Sequence, residues 1–355
     1  MIRIDSDEFF ERLIPGISAS GELSSIMYAV TYRCNVACVH CYAEGACEGA
    51  PPELTVPEIR KFFGQFAKSG CLNCTVTGGE PFLRSDFEEI WAAIAEEGIR
   101  RMLFTNATLV DERKAAFLKD MPPDWIEVTI LGADAETHDA MMRSPGSFDA
   151  AIAGIRTLEK AGLRVRIKTI VMRGNAGQIG AIKRLASTLG DGSFRLDGQL
   201  MGAFMGHIDM ASLRVPPELL AEIEENYGGS DPGAWEHEKK RLATFKRNKL
   251  YSCGAAERSA YLSPWGNLHP CLTASHISQA LRGSSVGEAW MRLKEDMERH
   301  PFPENHVCSG CSAFPFCQNC PPAARLDSGD ELGVSQYRCA LAKEREKRHN
   351  TKFTI

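Results

Sequence analysis

The amino-acid sequence predicts an α/β fold: a partial (β/α)6 TIM-like barrel with a small irregular Cys-rich C-terminal domain. Two observations predict it. Between residues 26 and 210, short apolar segments of strand character alternate with helical segments in six units, which is typical of a parallel sheet with right-handed crossovers. Six units are too few for a closed eight-stranded barrel. From residue 251 onward, Gly, Pro and Cys are frequent and regular periodicity fades, as in a small domain held together by metal.

The predicted elements follow one another in a regular order. The first strand, 26–31, leads into a cysteine-rich loop. The helix at 55–68 begins with Thr55 as N-cap and has Glu58 three residues later, which is typical of a capping box. The helix at 148–161 ends at Gly162, a favourable residue for a helix C-terminus. The remaining strands are predicted at 72–77, 101–105, 126–131, 164–171 and 193–200, and the remaining helices at 86–97, 111–119 and 176–189.

The composition divides the chain into four predicted parts. A short N-terminal segment covers residues 1–25, and the barrel covers 26–210. A charged, mostly helical bridge follows at 211–250, with a soft break at 228–233, where the sequence is GGSDPG. The cysteine-rich domain covers 251–355.

The bulk composition excludes several classes of function. The net charge of −5 offers no general attraction to nucleic acid or to an anionic membrane. No stretch approaches the roughly 18 uninterrupted apolar residues of a membrane span. The N-terminus is acidic and lacks the apolar core of a secretion signal, so we expect a cytoplasmic protein.

Cysteine is unusually frequent for a chain in a reducing compartment. There are 13 cysteines, an odd number, which favours metal ligation or catalysis over disulfides. They fall into two groups separated by a long cysteine-free stretch. The first group is Cys34, Cys38, Cys41, Cys47, Cys71 and Cys74, and the second is Cys253, Cys271, Cys308, Cys311, Cys317, Cys320 and Cys339.

Three thiols lie close together directly after the first strand. Cys34, Cys38 and Cys41 are spaced C-x3-C-x2-C. Three thiolates do not complete a structural zinc site, which takes four ligands, so a zinc site would need His40 or Cys47 as well. A four-iron, four-sulfur cubane also has four corners, and three cysteines on one loop would leave one iron open to another molecule. The spacing alone leaves both alternatives open.

Two further polar motifs follow the second and third strands. GGEP occupies residues 78–81, and TNAT occupies residues 105–108. The glycines allow a ligand to approach the backbone closely, and Glu80 offers a carboxylate that could accept hydrogen bonds from an ammonium group. Alone, GGEP is a common turn. Because the carboxyl ends of parallel strands share one edge, we expect both motifs beside the cysteine loop.

Taken together, the cysteine loop and GGEP resemble those of the radical S-adenosylmethionine enzymes. In that family the open iron is chelated by S-adenosylmethionine, whose reductive cleavage gives a 5′-deoxyadenosyl radical that abstracts hydrogen from the substrate. The resemblance implies that Cys34, Cys38 and Cys41 are the catalytic cluster ligands. It also implies cofactor contacts from the aromatic residue after the third cysteine and from the strand ends, namely Tyr42, Gly78, Gly79, Glu80, Thr105 and Asn106. Arg143 and Lys168 are weaker candidates for carboxylate or ribose contacts, with solvated charges as the alternative.

The second group of cysteines resembles the SPASM extension of that family, which carries two auxiliary clusters. Its spacing matches except for x2 in place of x3 between Cys317 and Cys320. The resemblance implies an inner cluster bound by Cys253, Cys271 and Cys320, and an outer cluster bound by Cys308, Cys311, Cys317 and Cys339. The alternative is a zinc ribbon, which would leave three of these cysteines unused. The zinc ribbon would use Cys308, Cys311, Cys317 and Cys320.

Seven cysteines cannot fill the eight corners of two cubanes, so the inner cluster would have only three thiolates. Some family members supply a fourth cysteine about six residues after the first, and that position is Ser259 here. The open corner is then available to another side chain such as Glu257, to water or to substrate. Cys71 and Cys74 are predicted to be buried, inert thiols, and Cys47 is a loop thiol without an assigned role.

The resemblance also implies the cofactors and the kind of reaction. The cofactors would be S-adenosylmethionine and three 4Fe-4S clusters, one radical-generating and two auxiliary, with a low-potential reductant such as flavodoxin or ferredoxin. Members with the extension mostly modify peptides, and residues 128–148 resemble the fourth-strand segment of ribosomal-peptide maturases. Cys271 is followed by Leu272, where sulfatase maturases have an aspartate base, which argues against that reaction. We therefore expect a radical S-adenosylmethionine oxidoreductase that modifies or crosslinks a ribosomally made peptide.

Two other interpretations remain open at this point. A tetrapyrrole side-chain enzyme of the haem-synthesis type shares the HCY start and the C-terminal clusters. An iron–sulfur electron carrier or scaffold is the non-catalytic alternative.

Only about 25 residues precede the first strand, and this segment is too short for the peptide-recognition domain that many maturases carry. We then expect direct recognition or a separate recognition protein, and no contact with nucleic acid or membrane.

Overall fold

The computed structural model describes residues 22–198, 200–203, 208–228, 250–251, 253, 255–299, 301–317 and 320–352. Two parts of the sequence prediction lie outside these residues: most of the N-terminal segment and the second half of the helical bridge, including nearly all of its expected break. Within the described ranges, no helix is long and apolar enough to cross a membrane.

A single large sheet forms the centre of the described part of the chain. Its strands are β1 Ser25–Thr31, β2 Asn73–Gly78, β3 Arg100–Thr105, β4 Ile126–Thr129, β5 Val165–Ile170, β6 Phe194–Asp197, β7 Ser259–Leu262, β8 Asn267–His269 and β9 Gln279–Ala280. Their order is β6-β5-β4-β3-β2-β1-β7-β8-β9. Neighbours from β6 through β7 are parallel, whereas β8 is antiparallel to β7 and β9. The predicted parallel barrel sheet of six strands is confirmed, and a seventh parallel strand extends it.

Helices connect the parallel strands and follow the sheet. They are α1 Val56–Lys68, α2 Phe87–Glu96, α3 Glu112–Asp120, α4 Ala135–Met142, α5 Ser147–Lys160, α6 Ile179–Ala186, α7 Met210–Leu213, α8 Pro217–Tyr227, α9 Val286–Glu298, α10 Pro321–Ser328 and α11 Gln336–Lys352. The five predicted barrel helices correspond to α1, α2, α3, α5 and α6. The capping box of Thr55 and Glu58 is present, and Gly162 takes φ +81° just after α5.

The sequence analysis missed α4 and placed the end of β4 two residues too late. Asp134 caps α4 by accepting a hydrogen bond from the backbone N–H of Thr137 at 2.9 Å. Beyond Thr129 the chain turns towards this helix, because the backbone N–H of Leu131 donates to the His138 ring at 3.1 Å instead of to a neighbouring strand. The segment 128–148 is therefore a short strand end followed by a helix.

The C-terminal region contains more regular structure than its fading periodicity suggested. Three helices, α9, α10 and α11, follow the last strand of the sheet. Ser285 and Glu288 form a capping box at the start of α9, a local motif that can be recognised in the sequence. Many Gly, Pro and Cys residues lie in the turns between these helices, but Gly287, Pro321, Pro322 and Cys339 lie within them, which obscured the helical segments in the sequence.

The inner face of the sheet is open, unlike the packed interior of a complete barrel. In β5, Val165 and Ile167 are buried, whereas Arg166 and Lys168 are only half-buried. Because alternate residues of a strand point to opposite faces, the buried set packs against the helices and the half-buried set faces the open interior. Polar side chains on β5 can therefore reach a molecule inside the barrel.

The strand that follows Cys253 brings the second cysteine group to the barrel. Ser25 of β1 pairs with Ser259 of β7, and β8 then runs back antiparallel to β7. Cys271, just after β8, consequently lies towards the amino-terminal end of β1, whereas the Cys34 loop follows its carboxyl end. The seven residues of β1 separate the two ends by roughly 20 Å.

Candidate active site

A cavity of about 550 Å³ runs along the inner face of the sheet, and we call it the lumen. Its walls include most of the predicted cofactor residues: Cys34, Cys38, Cys41, Tyr42, Gly78, Gly79, Thr105, Asn106 and Lys168. Ser259, Cys271 and Leu272 line its other end. Glu80 and Arg143 were predicted for the same site but do not line the lumen.

The cysteine loop is attached to the C-terminal end of α4. The backbone N–H groups of Ala37 and Val39 donate to the carbonyl oxygens of Met142 and Met141, at 3.1 and 3.0 Å. These bonds hold the loop between Cys34 and Cys41 across the mouth of the barrel. The helix α4, which was not predicted from the sequence, thus positions the three predicted thiols.

The three thiols of this loop are shielded from water. Burial raises the pKa of Cys34 to about 11 and that of Cys38 to about 12, and it also raises the pKa of Cys41. Thiols of this kind stay protonated at neutral pH in the absence of a cation. Loading a metal or cluster would release protons and stabilise the thiolates.

The donor set fits a cubane cluster better than a single ion. Among the residues that the structure describes, no three His, Cys, Asp or Glu side chains converge closely enough to hold one metal ion. A zinc site completed by His40 or Cys47 would need such convergence. A cubane binds each thiolate through a different iron, so its ligands stand apart. Three separate thiols of one loop on the wall of one lumen would hold three irons of such a cluster.

The glycines of GGEP allow the end of β2 to pack against the start of the cysteine loop. A Cβ atom on Gly78 would lie 2.1 Å from the carbonyl oxygen of Thr31, and one on Gly79 would lie 2.3 Å from that of Arg33. Gly78 also has φ +145°, which side chains rarely adopt. The backbone N–H of Gly79 donates to Thr31 at 2.8 Å. Both glycines therefore allow the loop to pack on the sheet. The close approach of a ligand to these glycines stays a prediction.

Glu80 is fully buried behind the lumen wall. Its carboxylate accepts hydrogen bonds from the Thr105 hydroxyl at 2.8 Å, from the backbone N–H of Asn106 at 2.8 Å and from that of Phe82 at 3.2 Å. Burial raises the pKa of Glu80 to about 7, against the lowering effect of these hydrogen bonds. In this conformation the side chain positions the residues of the rim and does not itself present a carboxylate to the lumen.

Asn106 and Tyr42 tie the strand ends to the cysteine loop. The Asn106 side-chain amide donates to Asn35 Oδ1 at 2.9 Å and lies 3.8 Å from the Sγ atom of Cys34. The Tyr42 hydroxyl donates to the carbonyl oxygen of Gly78 at 3.0 Å. The three motifs, which the sequence places at one rim, are thus joined by direct hydrogen bonds. Their contacts with a cofactor stay a prediction.

The two weaker candidates lie in different places. Lys168 lines the lumen on the side of β5. Arg143 is exposed, adopts a left-handed backbone conformation at the end of α4, and is not part of the lumen wall. Its charge nevertheless lowers the pKa of Cys38, although burial has the larger, opposite effect. Because Arg143 lies near the thiols, it stays a candidate for a charge contact outside the lumen wall. Lys168 stays a candidate on the lumen wall.

Three thiols of the second group share one neighbourhood. Burial, followed by the nearby thiols of Cys320 and Cys253, raises the pKa of Cys271 to about 11. These are the three residues that the resemblance assigned to an inner cluster. Ser259, at the position of the missing fourth cysteine, lines the lumen with Cys271, whereas Glu257 is exposed and is not part of the wall.

The four remaining thiols of the second group lie on two turns and one helix. Cys308 and Cys311 belong to one turn, in which the N–H of Cys311 donates to the Cys308 carbonyl at 3.4 Å. Cys317 follows a short helical turn that packs against α11, the helix that carries Cys339. This arrangement groups the thiols predicted for the outer cluster, and their role as ligands stays a prediction.

Three thiols lie outside the predicted clusters. Cys71 and Cys74 are buried, and burial raises the pKa of both. Cys47 is exposed on the loop that follows the three cluster cysteines. Their environments agree with the expectation of inert thiols for the buried pair.

Several lumen residues were not predicted from the sequence. Arg195, Asp197 and Tyr261 line the wall together with the predicted set, and so does His40, which the sequence offered only as a zinc ligand. The pairing of Lys168 with Arg195 and of Ile170 with Asp197 is the signal that could have found the charged ones, because paired neighbours share a face of the sheet. Non-local pairing of this kind cannot be derived from periodicity alone.

The comparison with protein families now has a geometric basis. The profile of the Radical SAM superfamily matches residues 28–179, which run from β1 to the start of α6. This range contains the cysteine loop, GGEP and TNAT, the three motifs that meet at the lumen. Over these residues the chain is similar to the radical SAM superfamily.

Curated relatives of the radical SAM domain fall into two groups. The AdoMet-dependent heme synthase of Nitratidesulfovibrio vulgaris is 33% identical over 165 residues, which cover 46% of this chain and 45% of that protein. The match therefore spans less than half of the length of this relative. Mycofactocin maturase MftC of Mycolicibacterium smegmatis is 26% identical over 344 residues, which cover 91% of this chain and 86% of that protein.

Solved structures share the fold of nearly the whole chain. SuiB of Streptococcus suis bound to precursor peptide SuiA superposes with a TM-score of 0.69 at 14% sequence identity. The superposition covers 95% of this chain and 82% of SuiB. It confirms the predicted fold class, a partial barrel followed by a smaller cysteine-rich region.

Proposed function

We propose that this radical SAM protein is an enzyme that abstracts hydrogen from a peptide and thereby modifies or crosslinks it. The observation that carries the proposal is the single lumen on which the three-cysteine loop, the ends of β2 and β3, and Cys271 all lie. When bound there, a 4Fe-4S cluster and S-adenosylmethionine would supply a 5′-deoxyadenosyl radical.

In this chemistry the residues of the protein would mainly bind the cluster and position the groups around it. Cys34, Cys38 and Cys41 would hold three irons as thiolates and leave one iron open towards the lumen. The Asn106 amide, close to the Cys34 sulfur, would donate a hydrogen bond to that thiolate and so favour its charged form.

The rim formed by β2 and β3 would bind S-adenosylmethionine. The backbone of Gly78 and Gly79 lines the lumen and offers polar groups at a position that no side chain obstructs. Glu80 would act through Thr105 and Asn106, whose positions its carboxylate fixes. We therefore assign Glu80 a positioning role in this conformation, and contact with the amino group of the cofactor would require its carboxylate to reorient.

Apolar side chains on the lumen wall would protect a reactive radical. Met27, Phe104, Ile170, Leu200 and Leu272 contribute to the wall between the two cysteine sites. Such a wall excludes water and limits side reactions while a substrate side chain occupies the lumen. The same composition suits an uncharged residue of a peptide as the reacting group.

The charge balance of the lumen favours a peptide over a tetrapyrrole with several carboxylates. Lys168 and Arg195 are the cations on its wall, and Asp197 is the carboxylate. Arg195 is further neutralised by Glu127, whose carboxylate oxygens lie 3.0 and 3.1 Å from Nη1. Little positive charge remains for a polycarboxylate, which would need several cations in a desolvated site.

The comparisons with known proteins also support a peptide substrate. MftC, named a maturase, aligns with 91% of the chain, whereas the heme synthase aligns with 46% of it. SuiB, whose fold the chain shares, was crystallised with a precursor peptide. A tetrapyrrole substrate remains the second candidate, and its support is the higher identity within the aligned half.

The C-terminal cysteines would hold two auxiliary clusters, which brings the proposed total to three. Cys253, Cys271 and Cys320 would bind the inner one, and the outer one would use the thiols on the turns and on α11. About twelve iron and twelve sulfide per chain are then expected after reconstitution. Zinc together with about four iron would contradict this part of the proposal.

The proposal includes partners that supply electrons and deliver substrate. A low-potential flavodoxin or ferredoxin would reduce the cluster of the cysteine loop. A separate peptide-recognition protein is expected if the lumen alone does not select the peptide. Both are testable by adding candidate proteins to an assay for product.

Cleavage of S-adenosylmethionine tests the enzymatic proposal against the alternative of an electron carrier. Reconstituted protein, reduced with dithionite under anaerobic conditions, should convert S-adenosylmethionine to 5′-deoxyadenosine. Variants Cys34→Ala, Cys38→Ala and Cys41→Ala should make none, whereas Cys47→Ala should match the unmodified protein. A reduced, cluster-loaded protein that forms no 5′-deoxyadenosine would support the carrier.

A further inference from the structure

Lys168 presents an ammonium group with unused hydrogen-bonding capacity to the lumen. Its side chain is 17% exposed, and the nearest carboxylate oxygen, Oδ2 of Asp197, lies 3.8 Å away. That distance exceeds a hydrogen bond. The Phe104 ring centroid is 5.9 Å from the ammonium nitrogen. Within the described ranges no acceptor lies at hydrogen-bonding distance, so the three N–H donors of Lys168 are available to a bound molecule.

The imidazole of His40 adds a second unused group beside this lysine. Its Nδ1 atom is buried and has no hydrogen-bond partner in the described part of the chain. The ring lines the same lumen and lies within electrostatic reach of both Lys168 and Asp197. A buried polar atom without a partner costs free energy, which a ligand oxygen could recover.

Charges of both signs on β4, β5 and β6 share one face of the sheet, and of these Lys168, Arg195 and Asp197 line the lumen. Strand pairing places Glu127 beside Arg166, and Lys168 beside Arg195, with Asp197 two residues further along β6. Three cations and two carboxylates on this face leave one positive charge. Arg195 is held by Glu127, and Arg166 stacks on Trp125 with its guanidinium 5.0 Å from the ring centroid. Of the two cations that line the lumen, Lys168 is therefore the one without a carboxylate at hydrogen-bonding distance.

We propose that Lys168 and His40 form a subsite that binds one carboxylate of the substrate inside the lumen. The inference rests on the proposed function and names the part of the peptide that is recognised: a side-chain or C-terminal carboxylate. The ammonium of Lys168 supplies the charge, and the imidazole of His40 supplies a further hydrogen bond. A single subsite of this kind orients one residue of the peptide and does not suit a molecule with several carboxylates.

The subsite lies apart from the groups that would bind S-adenosylmethionine. The cofactor would be held by the cysteine loop and the ends of β2 and β3. Lys168 belongs to β5, two strands beyond β3, which corresponds to about 10 Å across the sheet. The lysine therefore serves the substrate, in place of the cofactor contact that the resemblance implied.

A matched pair of small ligands tests the subsite on the reconstituted holoenzyme. N-acetylphenylalanine carries a carboxylate, and N-acetylphenylalanine amide is its neutral counterpart. Anaerobic equilibrium dialysis gives their dissociation constants with S-adenosylmethionine bound. We expect the acid to bind at least tenfold more tightly than the amide, because a charge-assisted hydrogen bond to Lys168 is available only to the acid.

Two variants and one control separate the charge effect from a folding defect. Lys168→Met should weaken binding of the acid at least tenfold and change binding of the amide by less than twofold. Asp197→Asn removes the competing carboxylate and should tighten binding of the acid severalfold. Lys160→Met removes an exposed lysine of α5 outside the lumen and should change nothing. The affinity for S-adenosylmethionine, measured in the same dialysis cells, should stay within twofold throughout.

Three results would overturn the subsite. They are equal binding of acid and amide by the unmodified protein, acid binding that survives Lys168→Met, and a parallel loss of acid and S-adenosylmethionine binding in that variant. The last result would assign Lys168 to the cofactor. Unmodified holoenzyme that does not bind S-adenosylmethionine contradicts the proposed function itself and is thereby distinguished from failure of the subsite.

Discussion

The carboxylate of Glu80 accepts a hydrogen bond from the backbone N–H of Asn106 at 2.8 Å, across the ends of β2 and β3. The Thr105 hydroxyl donates to the same carboxylate at 2.8 Å. One buried side chain of GGEP therefore fixes the position of the third motif. The rim of the lumen is organised by Glu80 even though Glu80 does not line it.

Removal of this carboxylate should weaken the binding of S-adenosylmethionine. Glu80→Ala leaves the buried donors of Thr105 and Asn106 without an acceptor, which costs about 1–3 kcal/mol for each unsatisfied group. We expect the dissociation constant of S-adenosylmethionine to rise at least tenfold, with a smaller rise in Glu80→Gln. Glu89→Gln, an exposed change on α2, is the control. Equal affinity in Glu80→Ala and in the control would refute the positioning role.

The buried Glu80 should also make the stability of the apoprotein depend on pH. Its pKa is raised from the ordinary 4.5 to about 7, chiefly by burial. Between these values the folded state keeps a proton that the unfolded state has lost. The stabilisation is thus complete below pH about 4.5 and is lost as pH rises through about 7, by roughly 3 kcal/mol at most.

Urea denaturation at several pH values measures this contribution. Buried His138 and His269, whose pKa values are lowered to about 4, change stability in the opposite direction, so the contribution of Glu80 is the difference between two proteins. Between pH 5 and pH 7.5 the unfolding free energy of the unmodified apoprotein should fall relative to that of Glu80→Gln, which cannot titrate at this position. Identical slopes in the two proteins would show that Glu80 does not carry the raised pKa.

Substitution of Gly79 should prevent the cysteine loop from packing on the sheet. A Cβ atom there would lie 2.3 Å from the carbonyl oxygen of Arg33, a backbone atom that cannot move aside alone. Gly79→Ala should lower the thermal midpoint by several degrees or more and reduce iron loading. Gly177→Ala is the matched control, because its new Cβ meets nothing within 4 Å. Normal iron content and stability in Gly79→Ala would contradict this packing.

Most of the barrel, and the meeting of the three motifs at one rim, could be predicted from the sequence. Strand–helix alternation is a local signal, and the three-cysteine loop and GGEP are contiguous motifs placed by the ends of their strands. The loop after β1 and the ends of β2 and β3 accordingly meet where parallel topology requires. The capping box of Thr55 and Glu58 was visible for the same reason.

The parts that the sequence did not reveal depend on contacts distant in the chain. Ser25 pairs with Ser259, a partner that periodicity cannot indicate, and this pairing brings Cys271 to the lumen. Asp197 faces the lumen because β6 pairs with β5 in a particular register. The buried orientation of the Glu80 carboxylate, away from the lumen, depends on Thr105 and Asn106, which lie at the end of another strand.

Loss of Cys271 should remove iron selectively from the second cysteine group. Cys271→Ala should lower the iron content from about twelve to about eight per chain, because one predicted cubane would keep only two thiolates. Formation of 5′-deoxyadenosine without substrate should continue, since the first cluster uses other cysteines. Cys47→Ala, at an exposed thiol, should retain all iron. Unchanged iron content in Cys271→Ala would remove this residue from the ligand set.

The most direct test of the account is whether S-adenosylmethionine binds to an iron of the cluster held by Cys34, Cys38 and Cys41. Electron–nuclear double resonance of the reduced protein, with 17O-carboxylate-labelled and 15N-amino-labelled S-adenosylmethionine, measures this contact. The account predicts hyperfine coupling of both labels to the cluster spin, retained in Cys271→Ala. A reduced cluster in the intact three-cysteine site that shows no coupling to either label, with S-adenosylmethionine present in excess, would contradict it.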